Sequence, residues 1–289
     1  MFSGLFWVRG VSAVELWFTE EWIPGVRLSV QVKSIVHKEN TKFQELAVYD
    51  TDALGRILVL DDVIQTTEID EHIYHECLVH VPLLAHPNPE EVLIVGGGDG
   101  GSLREVLKHK TVKRATLVDI DEGVIEASKR FLPQWNTGFS DPRARVVIAN
   151  GLDFVAQAKE EYDVVIVDST DPIGPGEALF REEFYRSIKG ALRPGGMMAA
   201  QTENPIFMPD IVQMVFGRIS NVFPVAKLYT GPMPTYPGGF WSYTCATLGS
   251  DPSEPVREPE GIAFRYYSPE IHRRAFVLSP EVAKNVYAR

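Results

Sequence analysis

Cysteine is nearly absent. Cys77 and Cys245 are the two thiols in 289 residues, with no metal-ligand spacing between them. Neither a disulfide framework nor a thiolate metal centre can organise such a chain. Both read as reduced residues of a cytoplasmic protein. Basic charge is also scarce: 28 Lys and Arg stand against 39 Asp and Glu, a formal net charge of −11. That argues against nucleic acid or an anionic membrane as partner, since both need a basic surface. It is compatible with a cationic small molecule. No apolar run is long enough to span a bilayer. The apolar start, Met1 to Trp17, has no basic region before it and no clean cleavage site, so it reads as an extended N-terminus rather than a secretory signal. Repeats and low-complexity segments are missing as well.

What remains is ordinary globular material, 45% hydrophobic and 23% charged, with length for one large or two modest domains. From Val26 to Thr67 the pattern is strand-like. Val26, Leu28, Val30 and Val32 alternate with polar residues, and Phe43 to Tyr49 and Ile57 to Leu60 follow around a turn-rich Thr51 to Gly55. Ile73, Cys77, Val81 and Leu84 recur at near-helical spacing and predict a helix ending before Pro87. At Val92 the regime changes. Short apolar runs at 92–95, 115–118, 145–148, 164–167 and 197–200 alternate with helical stretches at 102–108, 122–131, 152–158, 181–192 and 209–221. This predicts an α/β fold with a doubly wound parallel sheet after a small antiparallel β unit. Further strands are predicted at 227–230 and 240–248, with short helices near the C-terminus.

The most telling segment runs from Tyr162 to Pro175. Its apolar strand ends in two acids, Asp168 and Asp171, and Pro172, Gly174 and Pro175 then force a loop. Open α/β sheets bind ligands at the carboxyl ends of their strands. Two acids there suit a cationic substrate or a base that takes a proton from one, and each raises the pKa of the other. Phe184 and Tyr185 supply aromatic surface nearby in sequence.

A second segment, Val95 to Gly101, packs glycines between a strand and a helix. Gly96, Gly98 and Gly101 alone fit a dinucleotide fingerprint. Asp99 among them would repel a pyrophosphate and attract an amine or a sulfonium, which favours a nucleoside sulfonium over a nicotinamide. Asp119 ends the next strand at the spacing of a ribose-reading acid, and Asp121 suits a helix cap. Asn150 either accepts a bond from an adenine amine or caps the helix that follows. His72, His75 and Glu76 lack the spacing of a metal motif, so substrate contact or a solvated helix face is preferred and no metal ligand is assigned. The aromatic run Pro234 to Trp241 suits a pocket wall, with core packing of Trp241 as the alternative.

Together these motifs resemble the spermidine synthase family of aminopropyltransferases. The resemblance rests on Glu15–Glu20, Phe43-Gln44, Leu60-Asp61, Gln65, Tyr74-His75-Glu76, Gly96–Gly101 with Leu103–His109, Asp119–Asp121, Asp168–Pro172 with Gly174-Pro175, Pro234–Pro237 with Trp241, and Ile271–Phe276. It covers the chain from about Glu15 onward. It implies an N-terminal extension (1–14), a β-strand domain (15–68) and a Rossmann-like catalytic domain (69–289) of the S-adenosylmethionine-dependent methyltransferase type. It implies transfer of a propylamine group from decarboxylated S-adenosylmethionine, a co-substrate rather than a resident cofactor, to putrescine, giving spermidine and 5′-methylthioadenosine. Agmatine or cadaverine as acceptor, and amine N-methylation, are the alternatives. Gln44, Asp99, Asp119, Asn150, Gly151 and Pro175 would hold the nucleoside. Tyr74, His75, Asp99, Asp168, Asp171 and Tyr236 would line the amine side. Asp168 would accept the proton, under a candidate lid reaching to Pro175. The family also implies a homodimer or homotetramer. Asp119 stands where the family often has glutamate, Asn150 where aspartate is usual, and Asp62 where glycine is common.

Overall fold

The computed structural model describes residues 15–170, 174–259 and 261–287. The chain opens with a two-stranded antiparallel hairpin, β1 (Leu16–Ile23) and β2 (Val26–Val32). A four-stranded antiparallel sheet follows, in the order β3 (Ser34–Asn40), β4 (Glu45–Thr51), β5 (Gly55–Leu60), β6 (Val63–Thr67). The β5–β6 turn has Asp61 and Asp62 as its two central residues, at φ 47° and 63°. Both lie in the left-handed region that a two-residue hairpin turn demands, and aspartate tolerates it better than most residues.

Helix α1 (Glu71–Ala85) leads into the main sheet. It is buried almost throughout and carries Pro82 in its last turn. The remaining elements are β7 (Glu91–Gly96), α2 (Gly101–Leu107), β8 (Arg114–Asp119), α3 (Glu122–Phe131), β9 (Ala144–Ile148), α4 (Gly151–Gln157), β10 (Tyr162–Asp168), α5 (Glu182–Ala191), β11 (Leu192–Gln201), α6 (Pro209–Val222), β12 (Val225–Pro232), β13 (Phe240–Thr247), α7 (Pro269–Ala275) and α8 (Pro280–Tyr287). The sheet order is β12-β13-β11-β10-β7-β8-β9. Strands β7 to β11 pair in parallel, whereas β13 pairs antiparallel with both β11 and β12. The sheet is therefore mixed, not wholly parallel. A short turn through Pro237–Gly239 joins β12 to β13, and an antiparallel pair needs no crossover helix.

Apolar side chains fill both faces of this sheet. One layer packs α1 and α2 onto β7, β8 and β10, with Leu78, Leu83, Ile94, Leu117 and Ile166 at its centre. The other packs α4, α5 and α6 onto the same strands through Leu93, Val165 and Ile188. Phe184 and Tyr185 belong to this second core, at 2% and 1% exposure, not to the ligand side. Helix α3 turns Val124 and Ala127 toward Leu46, Leu58 and Leu60, fastening the four-stranded sheet over the end of β8. No helix among the described residues is long and apolar enough to cross a membrane.

Candidate active site

Strand order reverses between β7 and β10, and a crevice opens there. Val164, Val165, Ile166 and Val167 are at most 2% exposed, so β10 is rigidly held where it delivers Asp168. Asp168 pairs in register with Gly96, and its carbonyl accepts a 2.8 Å bond from the Gly97 N–H. A β-carbon on Gly96 would lie 2.1 Å from that carbonyl oxygen. The bare backbone at Gly96 thus allows the two strand ends to touch.

The Asp168 carboxylate accepts from the Tyr74 hydroxyl at 2.8 Å and from the Ser102 hydroxyl at 2.6 Å. Burial and the neighbouring Asp99 charge raise its pKa above the usual carboxylate range, against the pull of His75 and the two hydroxyls. Tyr74 is packed against Tyr236 and Tyr243. The Tyr236 hydroxyl donates to the Gln65 carbonyl at 2.5 Å. Asp70 sets the wall that carries Tyr236: its carboxylate accepts from the Thr67 hydroxyl and from the Thr235 N–H and hydroxyl.

A cleft of about 140 Å³ lies over the glycine loop, lined by Gln44, Gly97, Asp99, Asp119, Tyr74 and Asp168 among others. Asp119 accepts from the Asp121 N–H at 2.8 Å, and burial raises its pKa to about 6. Asp121 caps α3 through the Gly123 N–H and also accepts from Thr41 and Gln44 of the N-terminal sheet, at 2.6 and 2.9 Å. A second cavity of about 140 Å³ abuts the first and shares Gln65, Tyr74, Ser169, Thr170 and Tyr236 with it. Its far end is formed by Glu20, Glu21 and Trp22 of β1. Trp241 serves both readings, since it lines this cavity and is 4% exposed.

Several predicted site residues sit elsewhere. His75 is fully buried behind Asp99 rather than on the cleft wall, because the Glu71 carboxylate draws its ring inward at 2.8 Å. Asn150 caps α4, accepting from the Leu152 N–H at 2.9 Å, and Gly151 packs against Val95. Neither lines the cleft described here. Asp171 and the lid segment around it lie outside the described residues, as does the side chain of Pro175. Glu76 accepts the N–H groups of Arg265, Tyr266 and Tyr267 and is a structural clamp, not a ligand contact. From the sequence, Ser102, Ser169, Thr170 and Glu20 receive no site role, although Glu20, Ser169 and Thr170 fall within the motifs that carry the resemblance. A serine inside a helix or a loop after a strand carries no distinctive spacing, and Glu20 sits on a strand whose mixed exposure hides its burial. Among the described residues no group of three or more His, Cys, Asp or Glu is arranged to hold a metal.

Fold and site define a Rossmann-like enzyme that works at the carboxyl edge of its sheet, with a cleft over the glycine loop that abuts an acidic, aromatic second cavity. Residues 71–251 match the spermine/spermidine synthase domain, and residues 16–68 match the spermidine synthase tetramerisation domain. A polyamine aminopropyltransferase of Desulforudis audaxviator (strain MP104C) is 51% identical over 268 residues, covering 92% of this chain and 97% of that protein. Another, from Caldicellulosiruptor saccharolyticus, is 44% identical over 275 residues, 95% of this chain and 99% of its own length. Among solved structures, a spermidine synthase in complex with the transition state analogue AdoDATO superposes with a TM-score of 0.91 at 43% identity, over 94% of each chain. The spermidine synthase from Thermotoga maritima gives 0.89 at 41% identity, again over 94% of each. The chain belongs to the spermine/spermidine synthase family and is an aminopropyltransferase.

Proposed function

We propose that the protein moves the propylamine group of decarboxylated S-adenosylmethionine to putrescine, releasing spermidine and 5′-methylthioadenosine. The observation that carries this reading is that Asp168 lines the first cavity and accepts a bond from Tyr74, which the two abutting cavities share. In this reading the nucleoside occupies the first, its ribose hydroxyls donating to Asp119, and a short diamine occupies the second. The attacking nitrogen forms a bond to the methylene beside the sulfonium. The carbon–sulfur bond breaks, and its electron pair stays on sulfur as a neutral thioether. The amine proton goes to Asp168. Tyr74 and Ser102 fix the orientation of that carboxylate, and its raised pKa makes it a stronger base than an exposed aspartate. The sulfonium supplies its own leaving-group activation. Asp99 on the glycine loop favours a cationic donor end over a carboxylate-bearing one.

The description of residues 16–68 as a tetramerisation domain supports a homodimer or homotetramer, and exposed Leu16, Trp17 and Ile35 offer it apolar surface. Two buried free thiols are compatible with a cytoplasmic location. The test is one assay: purified protein, decarboxylated or intact S-adenosylmethionine, and putrescine, agmatine, cadaverine or longer polyamines, with products resolved by mass. Spermidine from putrescine at the highest kcat/KM supports the proposal. Preference for another amine, or a methylated product, overturns it.

A further inference from the structure

His75 is wedged between two acceptors. Its Nδ1 stands 2.8 Å from Glu71 Oε2, and its Nε2 stands 3.5 Å from Asp99 Oδ1 with no closer partner. The ring is fully buried, and Tyr74 meets it edge-on. A neutral imidazole has one N–H and one lone pair. Either neutral tautomer would turn its lone pair toward a carboxylate oxygen at a fully buried position. The imidazolium alone donates in both directions.

Glu71 cannot turn away from the ring. Arg104 of α2 grips both its oxygens, at 3.1 and 2.8 Å, and Arg104 Nε bonds Glu105 at 2.7 Å. Glu105 is in turn held by His80 at 2.9 Å and Lys108 at 2.5 Å. His80 continues to His109 at 2.9 Å, and the Arg257 guanidinium closes the row 3.3 Å from the far nitrogen of His109. Glu71, Glu105 and His80 are at most 2% exposed. From Glu71 through Arg104 to Glu105 and Lys108 the charges alternate, so each buried carboxylate meets a cation where burial would otherwise be costly.

We infer that Glu71 and Arg104 are positioning residues that keep His75 as an imidazolium facing Asp99 and Asp168. The function of that fixed cation is electrostatic. Asp99 and Asp168 are two acids at one cavity, and unopposed they would hold a proton between them. The imidazolium offsets one of the two charges, leaving Asp168 free to act as base. Besides Glu71, Tyr74 and Asp99, the charged groups around His75 are Asp168 of β10, whose carboxylate feels the His75 charge and bonds Tyr74, and, beyond Glu71, Arg104 of α2. The kinetic part of this inference rests on the aminopropyl-transfer reading.

The test uses the full-length enzyme with 15N-labelled histidine. The His75 ring nitrogens of the wild type are followed by NMR from mildly acidic to alkaline pH. We expect both to remain protonated through neutrality, and in Glu71→Gln we expect the ring to titrate at least about one pH unit lower. The acid limb of kcat in that variant should move up while the donor KM stays within about twofold, and Glu71→Asp should restore part of both. A wild-type His75 that titrates as a neutral ring near its ordinary value overturns the inference without any variant. So does a Glu71→Gln protein that folds but leaves both His75 and the kcat profile unmoved. Absence of aminopropyl product from the wild type would instead overturn the functional reading, and the NMR titration would still decide this one.

Discussion

Gly101 lies directly against the His75 ring: a methyl group on its Cα would stand 2.1 Å from Cε1 and 2.4 Å from each ring nitrogen. The same residue donates its N–H to Asp99 at 2.6 Å. The missing side chain therefore sets the distance between the helix that carries His75 and the loop that carries Asp99. Gly101→Ala should force the ring out of the Glu71–Asp99 bracket, at a stability loss of about 1–3 kcal/mol. Turnover should collapse with it. Chemical denaturation read beside kcat checks this, and a fully active, equally stable variant contradicts it.

Asp168→Asn keeps the shape of the strand end and removes the proton acceptor. The expected result is a kcat about 100-fold lower or worse. Binding of 5′-methylthioadenosine, measured by calorimetry, should stay close to wild type, because the proposed binding mode holds the nucleoside through Asp119 and not through Asp168.

Nucleoside affinity should depend on pH through Asp119. Its pKa is raised to about 6 by burial, so it is an ionised acceptor above that value and increasingly a protonated donor below it. Affinity for 5′-methylthioadenosine should weaken as pH falls through about 6 and level off above it. In Asp119→Asn the affinity should be lower overall and flat across the same range. A wild-type affinity that does not change across that range would remove Asp119 from ribose recognition.

Acid should destabilise the fold in two stages. His109 has its pKa depressed to about 2 by burial, with His80 and the Arg257 guanidinium adding to the effect. Its stabilisation is present above the unfolded value of 6.5 and is lost progressively as pH falls below it. In Glu71, His75 and Arg104 outweigh burial and bring the pKa to about 2, so a second loss begins below its ordinary 4.5. His75 runs the other way: its raised pKa gives stability fully present below 6.5 and lost only as pH rises. It therefore does not contribute to the acid loss. Melting temperature should decline below pH 6.5 and more steeply below 4.5, and Glu71→Gln should flatten the second stage in a pH series by calorimetry.

The parallel part of the sheet was readable because its strands contain short apolar runs followed by helical stretches, three of them closed by glycine or acid, at Gly96, Asp119 and Asp168. The antiparallel edge was not, since Lys227–Thr230 and Phe240–Leu248 look the same in either direction and pairing sense is decided by a partner distant in sequence. The hairpin strand β1 escaped because Trp17 and Leu16 face outward, masking its alternation. In the site, Asp99, Asp119 and Asp168 were legible as acids at strand ends. The Glu71–Arg104 pair was not, because its members lie 33 residues apart and meet through helix packing. Asn150 remained open because a cap and an adenine acceptor require the same side chain, and its bond to Leu152 shows the cap.

The three amides gathered by Glu76 lie 189 to 191 residues further along the chain. During synthesis, helix α1 leaves the ribosome long before they exist. Until they arrive, the carboxylate next to Tyr74 and His75 has none of these three donors, so the packing behind helix α1 is finished only near the end of translation. A nascent chain stalled after β13 would hold most of the sheet and still lack the clasp behind its catalytic helix.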